Sequence, residues 1–232
     1  MLLQETSSVV IRHLGRCEYQ PVMEAMRGFT RQRSSSTVDE IWFLEHLPIY
    51  TRGVSCRDEP RCLNGEVPVV DSDRGGQITY HGPGQLVVYL LLDLRRLGLG
   101  IRDLVSLIER IVIGLLGEYA VEATNEPGAP GVYVSGSKVA AIGFRIHRGC
   151  CYHGLSLNVD MDLSPFQSID PCGYAGLQVT QLRELGFTVA FARVPQQLLD
   201  RLIAELRYSQ VVSGGAKLPV LAIHPPASQK VS

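Results

Sequence analysis

The stretch APGVYVSGSKVAAIGFRIHRGCCYHGLSLNVDMDL, residues 129–163, decides the fold. It reads as three β-strands joined by tight turns at Ser135-Gly136-Ser137 and His147-Arg148-Gly149. Period-two alternation puts Lys138, Ala140, Ile142, Phe144 and Ile146 on one face of the middle strand. Working outward, QLVVYLLLDL (85–94) and VPVVD (67–71) are aliphatic runs suited to strands buried on both faces. EIWFLEHLPIY (40–50) reads as one further strand. Helical spacing over 18–33 aligns Val22, Met26 and Phe29, and over 101–119 it aligns seven apolar residues on one side. Two more helices are expected near 178–185 and 195–208, the second with an inner stripe of Leu198, Leu199, Leu202, Ile203 and Leu206. Strands and helices do not alternate strictly. The expected class is α/β (α+β), a mixed sheet with flanking helices. Residues 1–208 form a single domain in this reading, and 209–232, rich in small residues and proline, form a flexible C-terminal tail.

A chain of 232 residues, 45% hydrophobic and 19% charged, has enough apolar material for one large core. A net charge of -1 excludes a generally basic nucleic-acid binder. The first residues lack the basic start and apolar run of a signal peptide, and no apolar run reaches membrane-spanning length. Cysteines stand at 17, 56, 62, 150, 151 and 172. Thinly spread in a chain this large, they read as free thiols in a reducing cytoplasm.

Candidate chemistry concentrates in three places. The segment RGGQITYHGPGQ, 74–85, packs glycines around Arg74 and His81 ahead of a hydrophobic strand. Such glycines suit either a close ligand approach or a wide hairpin. His81 alone reads more readily as structural than as catalytic. No Walker loop, G-x-S-x-G elbow or H-E-x-x-H motif is present, and the cysteine spacing does not suit zinc. Of 22 basic residues only Lys138, Lys217 and Lys230 are lysines, so Lys138 is the one lysine in the body of the chain. It shares a strand face with apolar groups, where an ammonium pKa can fall or a lysine can snorkel to water. Composition alone favours a surface lysine in a turn. Cys172 sits between Pro171 and Gly173 in SPFQSIDPCGYAG, a loop with no apolar periodicity. It reads either as a gap filler or as a displayed nucleophile.

Three ordered stretches, RGGQITYHGPGQ, GVYVSGSKVAAIGFRI and RGCCYHGLSLNVDMDLSPFQSIDPCGYAG, resemble the lipoyl(octanoyl) transferases, octanoyl-acyl-carrier-protein:protein transferases. The likeness runs from about residue 10 to about residue 208. It implies the lipoate/biotin protein ligase-like (class II synthetase-like) fold. It also implies transfer of octanoyl from octanoyl-acyl carrier protein to a lysine of lipoyl domains, in 2-oxoacid dehydrogenases or the glycine-cleavage H protein. On this likeness Cys172 carries the acyl group and Lys138 is its active-site partner. Arg74, Gly75, Gly76, Gln77, Ile78, Thr79, Tyr80, His81, Ala141, Ile142, Gly143, Gly154, Leu155 and Ser156 line the substrate, with His153 beside them. No cofactor and no metal are called for, and neither nucleic acid nor membrane is an expected partner. A thiol of pKa about 8.5 is mostly protonated at neutral pH, and a nearby ammonium favours the thiolate. Lys138, once neutral, can take the proton of the incoming amine, but sequence does not decide between lysine and histidine as the base. Backbone N–H groups of the glycine-rich stretches can hold the oxyanion, and an apolar tunnel can hold the chain. Arg52, Arg57, Arg61, Arg145 and Arg148 offer a rim for an acidic carrier protein. The alternatives are an ATP-dependent lipoate or biotin ligase on the same fold, which does not need Cys172, and a non-catalytic module that binds lipoyl domains.

Overall fold

The structure, a computed structural model, describes residues 8–56, 67–169, 176–187 and 193–219. Its frame is a seven-stranded mixed sheet in the order β10-β1-β2-β6-β9-β8-β7. The strands are β1 (Val9–Cys17), β2 (Asp39–His46), β6 (Gln85–Asp93), β7 (Gly131–Val134), β8 (Ser137–His147), β9 (Cys150–Asn158) and β10 (Val211–Gly215). A second sheet, β4-β3-β5, joins β3 (Ile49–Arg52), β4 (Val69–Asp71) and β5 (Ile78–His81).

All nine residues of β6 and all nine of β9 are buried, as their apolar runs anticipate. They are central because both sheet faces are covered. On one face α3 (Ile101–Gly117) and α4 (Val194–Leu206) pack Leu104, Ile108, Leu198 and Leu202 against Ile41, Val88, Leu90 and Leu155. On the other, α1 (Tyr19–Gln32) packs Val22, Met23 and Met26 against Trp42, Val87 and Leu91. The Asp103 carboxylate accepts from the Gly100 N–H at 2.9 Å and closes the first turn of α3. A short helix, α2 (Leu94–Leu97), follows β6 and is capped by Asp93.

Three expectations are corrected. The run 40–50 is two strands rather than one, because Pro48 has no N–H to continue a ladder, and the chain leaves the large sheet there for the small one. Residues 178–185 form turns and an isolated bridge, not a helix. Their backbone is already committed: Lys138 N donates to Gln178 O at 2.8 Å, Thr180 N to Lys138 O at 3.0 Å and Leu182 N to Asn158 O at 3.0 Å. The tail does not begin at residue 209, because β10 adds to the sheet edge in parallel with β1. Arg12 holds it there, donating to Gly214 O at 2.6 Å. Finally, β1 itself, which the sequence reading left unassigned, pairs in parallel with β2.

Candidate active site

The glycine-rich segment lies across β8. Gly75 N donates to Phe144 O at 2.9 Å. The two backbones are so close that a Cβ on Gly143 would stand 2.9 Å from Gly75 O. Arg74 anchors the other side, its guanidinium donating to Thr51 O at 2.6 Å and to Thr51 Oγ1 at 2.8 Å. Beneath this crossing is a cavity of about 60 Å³. Arg74, Gly75, Gly76, Gln77, Ile78, Thr79 and His81 line it from the loop and β5. Ala141, Ile142, Gly143, His153, Gly154, Leu155 and Ser156 line it from β8 and β9, and Tyr19, Val87 and Tyr89 complete it. A neighbouring cleft of about 550 Å³ contains Lys138 and shares Gly75, Gly76, Gln77, Ile142 and Gly143 with the cavity.

Lys138 is buried. Its Nζ donates to Pro130 O at 3.3 Å and stands 4.9 Å from the Tyr133 ring centroid. Both are contacts suited to a cation.

A buried network of imidazoles, phenols and amides adjoins the cavity. His81 Nδ1 donates to Gln85 Oε1 at 2.7 Å, Gln85 Nε2 donates to Asn158 Oδ1 at 3.0 Å, and Asn158 Nδ2 donates to Thr180 O at 3.0 Å. His46 donates from Nδ1 to Cys17 O at 3.1 Å and accepts from the Tyr89 hydroxyl at Nε2, 2.7 Å away. Burial pushes His81 down to about 3, with help from His46 and Arg74, and pushes His46 down to about 4. Both are therefore neutral near pH 7. Asp73, next to Arg74, receives His153 Nε2 at 2.8 Å, the Tyr152 hydroxyl at 2.6 Å and Arg27 Nε at 2.9 Å. Burial alone would raise its pKa, but these donors outweigh burial and hold the carboxyl well below the usual carboxylate range.

The sequence matches the lipoyl protein ligase A/B catalytic domain over residues 18–203. The octanoyltransferase of Pseudomonas fluorescens (strain SBW25) is 53% identical over 206 residues, 88% of this chain and 96% of that protein. That of Pseudomonas putida strain F1 is 54% identical over 206 residues, again 88% and 96%. The chain belongs to this family, among its octanoyltransferases. It is an enzyme that transfers octanoyl groups. The fold agrees. A lipoate-protein ligase A bound with ATP superposes with a TM-score of 0.71 at 13% identity, covering 91% of this chain and 89% of that one. A bipartite lipoate protein ligase from Thermoplasma acidophilum gives 0.67 at 13%, covering 90% and 88%.

The residues that the motifs of this octanoyltransferase family nominate on the loop, β8 and β9 meet at the cavity, apart from Tyr80 and from Lys138, which lies in the neighbouring cleft. Tyr80 points away and packs against Tyr50 and Phe166 in the core of the small sheet. Cys172, Arg57 and Arg61 lie outside the described residues. Arg52 pairs with Asp71 at 2.8 Å, while Arg145 and Arg148 are exposed. Cys150 and Cys151 are buried, and burial pushes the Cys151 thiol up to about 12, in keeping with packing. Sequence reasoning missed Asp73, Tyr152, Tyr19 and His46. Only Asp73 carried a signal, being an acidic residue beside the glycine loop. Among the described residues no His, Cys, Asp and Glu cluster suits a metal, and no helix is long and apolar enough to cross a membrane.

Proposed function

We propose that the enzyme takes octanoyl from octanoyl-acyl carrier protein onto Cys172 and passes it to a lysine of a lipoyl domain, as found in 2-oxoacid dehydrogenases and the glycine-cleavage H protein. The reading places this chemistry in the cytoplasm. The observation that carries it is the backbone tether at Lys138. Lys138 N donates to Gln178 O, and Thr180 N returns a bond to Lys138 O. Gln178 follows Cys172 by six positions, a span of at most about 20 Å of extended chain, which supports a thiol in the neighbourhood of the strand bearing the lysine. An ammonium there favours the thiolate, which attacks the thioester carbonyl and expels the carrier's thiol. The acceptor amine then attacks the acyl-enzyme, forming an amide. Thioester exchange needs no ATP. The cavity beside the cleft, lined by Ile78, Val87, Ile142 and Leu155, supplies apolar contact for the chain. The ligase of Thermoplasma acidophilum is described with an E2 lipoyl domain, which supports a lipoyl-domain acceptor here.

The test is intact mass after incubation with octanoyl-acyl carrier protein and no ATP. One octanoyl adduct is expected, absent in Cys172→Ala, and it should discharge onto an added lipoyl domain. An adduct that persists in Cys172→Ala sinks the assignment, and a strict requirement for ATP moves the protein to the ligases.

A further inference from the structure

Glu109 on α3 and Lys138 on β8 are both buried, 5% and 3% exposed. Side chains of these two types are almost never buried without partners. They meet at one peptide group, that between Pro130 and Gly131. Lys138 Nζ donates to Pro130 O at 3.3 Å, and Gly131 N donates to Glu109 Oε1 at 3.1 Å. The peptide is trans, so its C=O and N–H point in opposite directions. The ammonium and the carboxylate therefore sit at its two ends. Asn125 Nδ2 holds the second carboxylate oxygen, Oε2, at 2.8 Å. Gly131 has φ +143°, a conformation that suits glycine, and this sets the orientation of the unit.

A carboxylate is an expensive residue at position 109. The buried side of α3 is otherwise aliphatic, with Leu104, Ile108, Val112 and Leu115 among its residues. A neutral amide would accept from Gly131 N–H with less desolvation cost. What the charge adds is polarisation. Hydrogen bonds in a chain strengthen one another, so a carboxylate on the N–H makes the carbonyl at the other end a better acceptor for a cation. Its negative potential also reaches the ammonium directly in a low-dielectric interior. Among the described residues, the other titratable group against Lys138 is Tyr133, whose ring centroid lies 4.9 Å from Nζ. The remaining described side chains that line its cleft are uncharged.

We propose that Glu109 is a positioning residue for Lys138, acting through the Pro130–Gly131 peptide: it holds the Pro130 carbonyl toward Nζ and its charge favours the ammonium. The inference rests on the reading above that Lys138 takes part in octanoyl transfer. Glu109 touches neither substrate nor the reacting atoms in it. Its effect is to keep a cation at one fixed point in the cleft.

The coupling is measured on the full chain without turnover. Lysine labelled with ¹³C at Cε gives three resonances, because the sequence holds only Lys138, Lys217 and Lys230. Lys138→Met assigns the first. Glu109→Gln keeps an acceptor for Gly131 N–H and removes the charge. It is expected to lower the pH at which Lys138 is half-protonated by about one unit, with Lys217 and Lys230 unmoved. A carboxylate that is only structural leaves all three midpoints in place, and that result overturns the proposal, as does a rise for Lys138. A second measurement needs no variant at position 109. In the wild type the Gly131 amide proton should titrate with the midpoint of Lys138, since the two share a peptide, and an amide that ignores Lys138 also overturns the proposal. In activity, the limb of the pH–rate profile that Lys138 sets should move with the midpoint in Glu109→Gln. Full transfer by Lys138→Met defeats the reading on which the proposal rests. Transfer lost in Lys138→Met with an unmoved midpoint in Glu109→Gln defeats the proposal alone, so the two failures are distinguishable.

Discussion

Lys138 and Gly131 share one space. A Cβ on Gly131 would lie 3.2 Å from Lys138 Cε, 3.4 Å from Nζ and 2.4 Å from Ala140 O. The missing side chain on β7 is what lets the buried ammonium reach Pro130 O. The broader guanidinium of arginine has no room there. Lys138→Met and Lys138→Arg should therefore each cut octanoyl transfer by at least ~100-fold. Lys138→Met should still unfold cooperatively within a few degrees of wild type. Ordinary transfer rates in Lys138→Met would remove the lysine from the chemistry.

Gly143→Ala tests the crossing over the cavity. The new methyl meets the carbonyl of Gly75, which is backbone and cannot rotate away. The bond from Gly75 N to Phe144 O should lengthen or break. Expected are a loss of about 1–2 kcal/mol in thermal or urea unfolding and a rise in KM for the octanoyl donor. An unchanged KM would mean that the loop is not part of the substrate wall.

Asp39 is a buried hub. Its Oδ1 accepts from Arg33 at 2.5 Å, from Arg96 at 2.6 Å and from the Asp93 N–H at 2.9 Å, and its Oδ2 accepts from the Tyr208 hydroxyl at 2.8 Å. The carboxylate ties β2 to α2 and to the end of α4. Its removal would leave Arg33, almost wholly buried, without its anion. Asp39→Ala should cost about 3–5 kcal/mol by urea denaturation. Tyr208→Phe, which removes one neutral donor, should cost about 1–2 kcal/mol. Comparable losses for the two would contradict the charge argument.

Acid should weaken the fold through its buried histidines. His46 and His81 titrate near 4 and 3 in the folded state, below the 6.5 of an exposed imidazole. The unfolded chain therefore binds more protons between those limits. The stabilisation is present in full above pH 6.5 and is lost as pH falls toward 4 and then 3. Each histidine contributes a slope of about 1.4 kcal/mol per pH unit within its window. His46→Gln should be less stable at pH 7, because it loses bonds to Cys17 O and the Tyr89 hydroxyl. Its unfolding free energy should nevertheless depend less steeply on pH between 6.5 and 4. A parallel pH profile would show that His46 is not the group responsible.

Much of this site was legible without coordinates because its parts are local. The glycines around Gly75 and Gly76 allowed a close ligand approach or a wide hairpin, the family motifs nominated Gly143, and alternation along β8 already put Lys138 on an apolar face. The same alternation failed at His153. Its φ of +62° is a backbone choice that no side-chain pattern encodes. Pairing with Asp73, eighty residues earlier, decides it.

Sequence alone therefore determined the buried central strands, the amphipathic α1, α3 and α4, and the family, because periodicity and motif order are written within short windows of chain. Only the tertiary structure decided that β1 and β10 pair in parallel, that Asp39 joins four elements, and that Tyr152, His153, Arg27 and Asp73 converge. Each of those contacts joins residues whose separation along the chain carries no periodic signal. They exist because burial leaves an ionised carboxylate or an open strand edge no acceptable state except one with partners, and only the packed fold brings those partners within reach.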